Sequence, residues 1–262
     1  MDLGLSGKSC LVTGGTSGIG LATARLLLSS GAQVAICGRD AGRLAAAEDA
    51  LTAEFGAERV LARQADVRDA AAMRALAEAV AQRFGGCDLL VNNAGQGRVS
   101  TFAETDDAAW RDELELKFFS QIHPVRAFLP LLRAAHGAVV VVNSLLALQP
   151  EPHMVCTSAA RAGVQSLVKS LSVELAPQVR VNAILLGLVD SAQWQRRFAA
   201  RDDLGQTAEA WYGALAARKG IPLGRLGQPD EAARAIAFLG APAASYITGA
   251  SLEVSGGLSR HI

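Results

Sequence analysis

Thr13-Gly14-Gly15-Thr16-Ser17-Gly18-Ile19-Gly20 stands between a short apolar run, residues 9–13, and a segment of helical periodicity that stops at Gly31. Glycines in this position let exposed backbone N–H groups approach a phosphate closely at a helix N-terminus. The stretch therefore predicts a phosphate-binding turn. A tight turn that only packs the helix on the strand is the alternative, because a glycine motif alone is a weak signal.

Apolar runs alternate with helical segments along most of the chain. We expect strands at residues 9–13, 33–37, 59–63, 88–91, 138–143, 179–185 and 251–254. Strands that are apolar throughout are typical of a parallel sheet covered on both faces. The pattern predicts an α/β fold, with a doubly wound Rossmann-type parallel sheet in a single three-layer α/β/α domain over residues 1–262.

Two segments depart from this alternation. Residues 106–135 form a long helical pattern that contains Pro124 and Pro130, so we expect the helix to bend or break there. Residues 187–222 carry two tryptophans and mixed charge, and we expect helical segments inserted before the last helix.

Composition excludes several classes of protein. The 262 residues hold 25 Lys and Arg against 25 Asp and Glu, and 50% are apolar, which argues against disorder and against nucleic-acid binding. Neither a signal-peptide pattern nor a membrane-length apolar run is present, so we expect a cytoplasmic protein without a membrane partner. Four scattered cysteines predict neither a disulfide framework nor a metal site.

The end of the second predicted strand bears on the choice of nicotinamide cofactor. An acidic residue there would bind the ribose 2′-OH of NAD. In this chain Gly38 takes that position and Arg39 follows, and a guanidinium suits a 2′-phosphate. The sequence therefore favours NADP(H) over NAD(H), with a solvated loop position for Arg39 as the alternative.

Five motifs in order resemble those of the short-chain dehydrogenase/reductase family, and nearly the whole chain takes part. They are the turn at residues 13–20, Asp66 after the third strand, Asn92-Asn93-Ala94-Gly95, Arg180-Val181-Asn182-Ala183, and Thr248-Gly249 with Gly256-Gly257. The resemblance implies an oxidoreductase that transfers hydride between a nicotinamide and a small carbonyl or alcohol substrate. It also implies a homotetramer or a homodimer.

The resemblance further implies which residues contact the cofactor. They are Gly14, Ser17, Gly18, Ile19 and Gly20 at the pyrophosphate, Arg39 at the 2′-phosphate, Asp66 and Val67 at the adenine, Asn92, Ala94 and Gly95 at the ribose and nicotinamide, and Gly187, Val189 and Ser191 at the carboxamide and phosphates. Residues 187–222 would form a lid over the substrate.

The catalytic positions depart from the family's Asn, Ser, Tyr and Lys. Ser144 is retained, whereas Lys117 stands for Asn, Thr157 for Tyr and Arg161 for Lys. An aliphatic hydroxyl is far less acidic than a phenol, so Thr157 cannot take the tyrosine's part. Arg161 can still position ribose hydroxyls. We expect a lowered pKa for Lys117 beside Arg161 and the nicotinamide, which suits a general acid.

Three interpretations follow. In the first, hydride transfer persists with Lys117 as proton donor, Ser144 orienting the carbonyl and Arg161 stabilising the oxyanion. In the second, the protein binds NADP(H) without turnover, as a sensor or partner protein. In the third, the cations Lys117 and Arg161 bind an anionic substrate of a different reaction.

Simpler roles for the same residues stay open. Lys117 could pair with Glu113 four residues earlier, and Arg161 could be an ion-pair residue on a helix surface. His153 is an alternative acid/base, and Cys156 could form a thiolate. The tryptophans of the lid segment could line an apolar substrate pocket or belong to the core.

Overall fold

A parallel sheet forms the centre of this computed structural model, which describes residues 2–201 and 203–261. Its strands are β1 (Ser9–Thr13), β2 (Gln33–Gly38), β3 (Val60–Gln64), β4 (Leu89–Asn92), β5 (Ala138–Ser144), β6 (Arg180–Leu186) and β7 (Ser251–Val254). Their order is β3-β2-β1-β4-β5-β6-β7, with every neighbouring pair parallel. The order reverses next to β1, so the predicted doubly wound Rossmann-type sheet is confirmed.

Helices connect the strands. They are α1 (Gly18–Ser29), α2 (Ala41–Phe55), α3 (Ala70–Phe84), α4 (Asp107–Ala134), α5 (Val155–Glu174), α6 (Ala192–Ala199), α7 (Ala208–Lys219) and α8 (Pro229–Gly240). Asp40 caps α2, because its carboxylate accepts a hydrogen bond of 2.8 Å from Arg43 N.

The two faces of the sheet bury separate apolar clusters. Along β1, Cys10 and Val12 point to the side of α1, α2 and α8, whereas Leu11 points to the side of α3, α4 and α5. Alternate side chains of a strand face opposite sides, so both faces need an apolar cover. The predicted three layers follow from this arrangement.

The sequence predicts a bend or a break at the prolines of the long helix, and the break does not occur. α4 runs without interruption from Asp107 to Ala134 with Pro124 and Pro130 inside it. Each proline removes one N–H donor, but α4 packs against both α3 and α5, and Phe128 lies between the two prolines fully buried in the core. Tertiary packing therefore outweighs the local preference.

Two helices within residues 187–222, α6 and α7, agree with the helical prediction. Aromatic rings join the two helices: the Trp194 and Trp211 centroids are 6.4 Å apart, and Phe198 stacks on Tyr212 at 5.9 Å. These helices stand beyond the carboxyl end of β6, on the side of the sheet where the cavities described below lie. Within the described residues no helix has the length and apolarity that a bilayer crossing needs.

Candidate active site

The turn between β1 and α1 leaves no room for a side chain at Gly15 or Gly20. Gly14 and Gly18 have φ angles of +64° and +54°, which favour glycine. A Cβ at Gly20 would lie 2.2 Å from the Gly14 carbonyl oxygen and 2.5 Å from Asn93 Nδ2. The turn therefore packs closely onto itself, and the first residues of α1 line the adjoining cleft.

This cleft has a volume of about 340 Å³ and follows the carboxyl ends of β1, β2, β3 and β4. Most of the predicted cofactor residues line it: Gly14, Ser17, Gly18, Ile19, Gly20, Arg39, Asp66, Val67, Ala94, Gly95 and Ser191. Four predicted cofactor residues do not line it, namely Asn92, Arg161, Gly187 and Val189. Gly187 lines the neighbouring pocket instead.

Asn93, and not Asn92, faces the cleft. Asn92 is fully buried, and its Nδ2 donates to Gln121 O at 3.3 Å. Asn93 Nδ2 donates to Thr13 O and Gly14 O at 2.9 and 3.1 Å. Thr13 Oγ1 accepts hydrogen bonds from Asn93 N and Ala94 N at 3.0 and 3.1 Å. These bonds fix the end of β4 against the glycine turn, and the motif alone could not tell the two asparagines apart.

Two cations lie at the far end of the cleft. Arg39 lines it as predicted, and Arg43 from the first turn of α2 lines it as well. Arg43 Nε is 3.5 Å from Asp40 Oδ2, an exposed pair. Sequence reasoning missed Arg43, although its place three residues after the α2 cap puts it beside the end of β2. A guanidinium pair of this kind suits a phosphate group.

The Asp66 carboxylate is already engaged. It accepts from Arg68 N at 2.9 Å and from Arg68 Nη2 at 3.0 Å. The hydrogen bond from the Arg68 side chain holds the pKa of Asp66 below its usual value. Asp66 therefore stays ionised at the edge of the cleft, where it can accept a further hydrogen bond.

A buried ionic cluster contains two of the three residues predicted to replace the family's catalytic residues, Lys117 and Thr157. Lys117 Nζ lies 3.0 Å from Glu113 Oε1, with the two side chains 5% and 2% exposed. The Thr157 hydroxyl donates to the same carboxylate oxygen. Lys117 therefore pairs with Glu113, as the simpler interpretation of the sequence expected, but the pair lies in the protein interior. Glu113 is a site residue that sequence reasoning considered only as an ordinary ion-pair partner.

The pKa of Lys117 is lowered to about 8, which confirms the expected direction. Burial is the main cause, and the charge of Arg161 adds to it, while Glu113 opposes both. Arg161 is therefore one of the expected causes, whereas the larger contribution of burial was not expected.

Arg161 is held by an asparagine. Its Nη1 donates to Asn143 Oδ1 at 3.2 Å, and Asn143 Nδ2 donates to the Arg161 carbonyl at 3.1 Å. Burial lowers the pKa of Arg161 to about 10. Its Nε is buried and has no hydrogen-bond partner among the residues described. The alternative of a surface ion pair is therefore wrong for this arginine.

The segment Gln96–Arg98 covers this cluster. Lys117 Nζ donates to the Gln96 carbonyl, and Thr157 Oγ1 accepts from Arg98 N at 3.2 Å. Lys117, Thr157 and Arg161 line neither the cleft nor the pocket beside it. Gln96 lines the cleft and Gly97 lines the second pocket, so this backbone segment lies between the two cavities and the side chains of Lys117 and Thr157.

A second pocket of about 510 Å³ lies beside the cleft and contains Ser144. Ser144 Oγ donates to Leu186 O and accepts from Leu146 N, each at 3.3 Å. His153 also lines the pocket, with Nε2 3.0 Å from Glu151 Oε2. Cys156 is fully buried, so a thiolate there has no access to a substrate.

The two tryptophans of residues 187–222 both line a pocket and pack in an apolar cluster. Trp194 and Trp211 line the second pocket, and they also pack on a small apolar cluster that includes Leu215 and Leu226. Across residues 2–201 and 203–261, no three potential metal ligands among His, Cys, Asp and Glu are grouped to hold an ion.

Comparison with known proteins gives matches over nearly the whole chain. The profile of the family described as enoyl-(acyl carrier protein) reductase matches residues 14–259. The 3-oxoacyl-[acyl-carrier-protein] reductase FabG of Chlamydia muridarum is 33% identical, covering 97% of this chain and 98% of that protein. The galactitol 2-dehydrogenase (L-tagatose-forming) of Cereibacter sphaeroides is 36% identical, and the match covers 97% of this chain and 95% of that protein.

Solved structures give the same picture. A short chain oxidoreductase from Pseudomonas aeruginosa PAO1, described as containing an atypical catalytic center, matches in its apo form with a TM-score of 0.96 and 61% identity over 98% of this chain and 99% of that one. Its NADPH-bound structure matches with a TM-score of 0.93 and 60% identity over 97% and 98%. L-Sorbose reductase from Gluconobacter frateurii, complexed with NADPH and L-sorbose, matches with a TM-score of 0.94 and 32% identity over the whole length of both chains.

Proposed function

This chain belongs to the short-chain dehydrogenase/reductase family, and from that premise we propose that it is an oxidoreductase that interconverts a small carbonyl compound and its alcohol with NADP(H). The observation that carries the proposal is the cleft in which the glycine turn and two arginines meet. It combines a place for a pyrophosphate with a place for a 2′-phosphate.

The cleft residues fit a dinucleotide. The amides of the turn at residues 14–20 would hold the pyrophosphate, because Gly14, Gly18 and Gly20 line the cleft where α1 begins. Arg39 and Arg43 would hold the 2′-phosphate, which favours NADP(H) over NAD(H). Asp66 and Val67 would contact the adenine. Bound there, the nicotinamide supplies or accepts the hydride.

The remaining cofactor contacts follow the family pattern. Ala94, Gly95 and Ser191 line the cleft and would contact the ribose and nicotinamide. Contacts from Asn92, Arg161, Gly187 and Val189 stay predictions from the resemblance alone.

For the proton, we propose Lys117 as donor and Ser144 as the residue that orients the carbonyl. The lowered pKa of Lys117, about 8, suits a general acid near neutral pH. Glu113 and Thr157 would position the ammonium, and Arg161 would stabilise negative charge on oxygen. The donor can act only when Gln96–Arg98 moves aside, because that segment covers it here.

The position of Gln96–Arg98 over Lys117 and Thr157 also supports a second candidate function. A protein that binds NADP(H) without turnover has no need of a proton donor in contact with the pocket, and Lys117 and Thr157 line neither cavity. An enzyme with a different proton donor is also supported. His153 is the candidate, since it lines the pocket together with Ser144 and is paired with Glu151.

One experiment separates these alternatives. NADPH oxidation is followed on a panel of ketones and aldehydes for the wild type, Lys117→Met and His153→Gln, with NADPH affinity measured for each. We expect Lys117→Met to lose at least about tenfold in turnover, the low end for a general acid, and His153→Gln to keep it. The reverse result assigns the donor to His153. Tight NADPH binding without turnover on any substrate supports the non-catalytic function.

Three further features belong to the proposal. Residues 187–222 would act as a lid of the single domain, since α6 and α7 contribute side chains to the substrate pocket. Assembly as a homotetramer or homodimer, and a cytoplasmic location, are carried over from the family resemblance and the sequence.

A further inference from the structure

Part of the wall of the second pocket is apolar. The rings of Trp194 and Trp211 line it from the lid, and aliphatic side chains such as Leu145, Leu188 and Leu258 line it from other sides. Its volume of about 510 Å³ suits a small organic molecule. A ligand here would therefore bury an apolar body.

The charges around this pocket do not balance. Arg197, Arg218 and Lys219 line it, against the single carboxylate of Glu151. Lys219 Nζ lies 3.0 Å from Glu151 Oε2, so those two charges neutralise each other. Arg197 and Arg218 have no carboxylate within salt-bridge distance among the residues that the structure describes. Two positive charges at the pocket are left without a counter-charge from the described part of the chain.

One of these cations is fixed by an aromatic ring. The Arg197 guanidinium carbon lies 4.6 Å from the centre of the Trp194 ring, in a cation–π contact. Stacking on the ring leaves the in-plane N–H donors of the guanidinium available to an anion. The apolar wall and the positive group are thus held next to each other.

Negative charge on the substrate was predicted from the sequence at a different place, the Lys117 and Arg161 positions. Lys117 is neutralised by Glu113, and neither cation lines the pocket. Any recognition of an anion in this pocket falls instead to Arg197 and Arg218.

We propose that the second pocket binds organic carboxylates, with the apolar body along Trp194 and Trp211 and the carboxylate held by Arg197 and Arg218. The substrate class of the enzyme is then a carbonyl or hydroxy compound that carries a carboxylate beyond an apolar spacer. This assignment of a substrate rests on the proposed function, whereas carboxylate binding itself does not require turnover.

The test uses a matched pair of unreactive probes on the full chain. Calorimetric titrations with 3-phenylpropionate and with its neutral amide, 3-phenylpropionamide, are made with and without NADP⁺. We expect the carboxylate to bind at least about tenfold more tightly, because hydrogen bonds to charged groups are the stronger ones. Arg197→Gln and Arg218→Gln should each remove most of this preference and leave amide binding unchanged.

A matched control is Arg74→Gln, on the exposed side of α3, which should keep the preference. Equal affinity for the two probes, or a preference that survives both lid variants, overturns the inference. Turnover of neutral ketones without any carboxylate preference also overturns it while the proposed function stands. Carboxylate binding without turnover on any carbonyl compound leaves the inference in place and removes the proposed function.

Discussion

The Lys117 ammonium lies 3.0 Å from the Glu113 carboxylate in the interior of the protein, beside Thr157. An exposed pair with this i,i+4 spacing contributes a few tenths of a kcal/mol. A buried pair behaves differently, because the removal of one partner leaves an uncompensated charge. The pair therefore bears on both stability and catalysis.

Removal of either charge should destabilise the fold. We expect Lys117→Met and Glu113→Gln each to lower the free energy of unfolding by about 3–5 kcal/mol, and the double variant to lose much less than the sum. Urea denaturation of the four proteins measures this coupling. Additive losses would show that the two side chains do not stabilise each other.

The pH dependence of reduction should follow Lys117. A general acid must be protonated, so kcat/KM for carbonyl reduction should be level below pH 7 and fall about tenfold per unit above a pKa of about 8. Alcohol oxidation needs the neutral amine and should rise with pH over the same range. In the Lys117→Met variant, the remaining kcat/KM for carbonyl reduction should not fall above pH 8 in this way. If the variant keeps the wild-type profile, another group supplies the proton.

Cofactor choice should depend on Arg39. We expect Arg39→Ala to weaken NADPH binding about ten- to a hundredfold, since hydrogen bonds to a charged group contribute about 1.5–3 kcal/mol, and to leave NADH binding unchanged. Arg43→Ala should have a smaller effect in the same direction, because Asp40 already pairs with Arg43. Fluorescence titrations with both nucleotides measure this. Equal affinity of the wild type for NADPH and NADH would contradict the role of Arg39 in binding the 2′-phosphate.

The Thr13 hydroxyl should hold the cleft together. Thr13→Val removes the acceptor of Asn93 N and Ala94 N, which should cost about 1–3 kcal/mol and weaken NADPH binding. Thr13→Ser keeps the acceptor and should stay close to the wild type. Thermal unfolding and NADPH titration are the measurements. If valine and serine at this position behave alike, the hydroxyl is not what fixes the cleft.

The sheet and its glycine turn were predictable because their signals are local. Apolar runs gave each strand to within about a residue, and Gly14 to Gly20 gave the turn. The continuity of α4 through Pro124 and Pro130 was not predictable, because it comes from packing against two other helices.

Much of the candidate site depends on contacts between distant segments. Neither the cover of Lys117 by Gln96 nor the bond from Asn143 to Arg161 has a sequence pattern of its own. The choice between Asn92 and Asn93 also depends on which side chain reaches β1. The residues that line the cleft were therefore easier to predict from the sequence than the contacts of Lys117 and Arg161.

Titration of NADPH into the wild type, Gly20→Ala and Gly86→Ala tests the central claim most directly. A Cβ at Gly20 would collide with the Gly14 carbonyl, whereas one at Gly86 meets nothing within 4 Å. The wild type and Gly86→Ala should bind NADPH, and Gly20→Ala, folded by circular dichroism, should bind at least about tenfold more weakly. Folded wild-type protein with no affinity for NADPH or NADH, or a Gly20→Ala variant with undiminished affinity, would contradict a dinucleotide site at this turn.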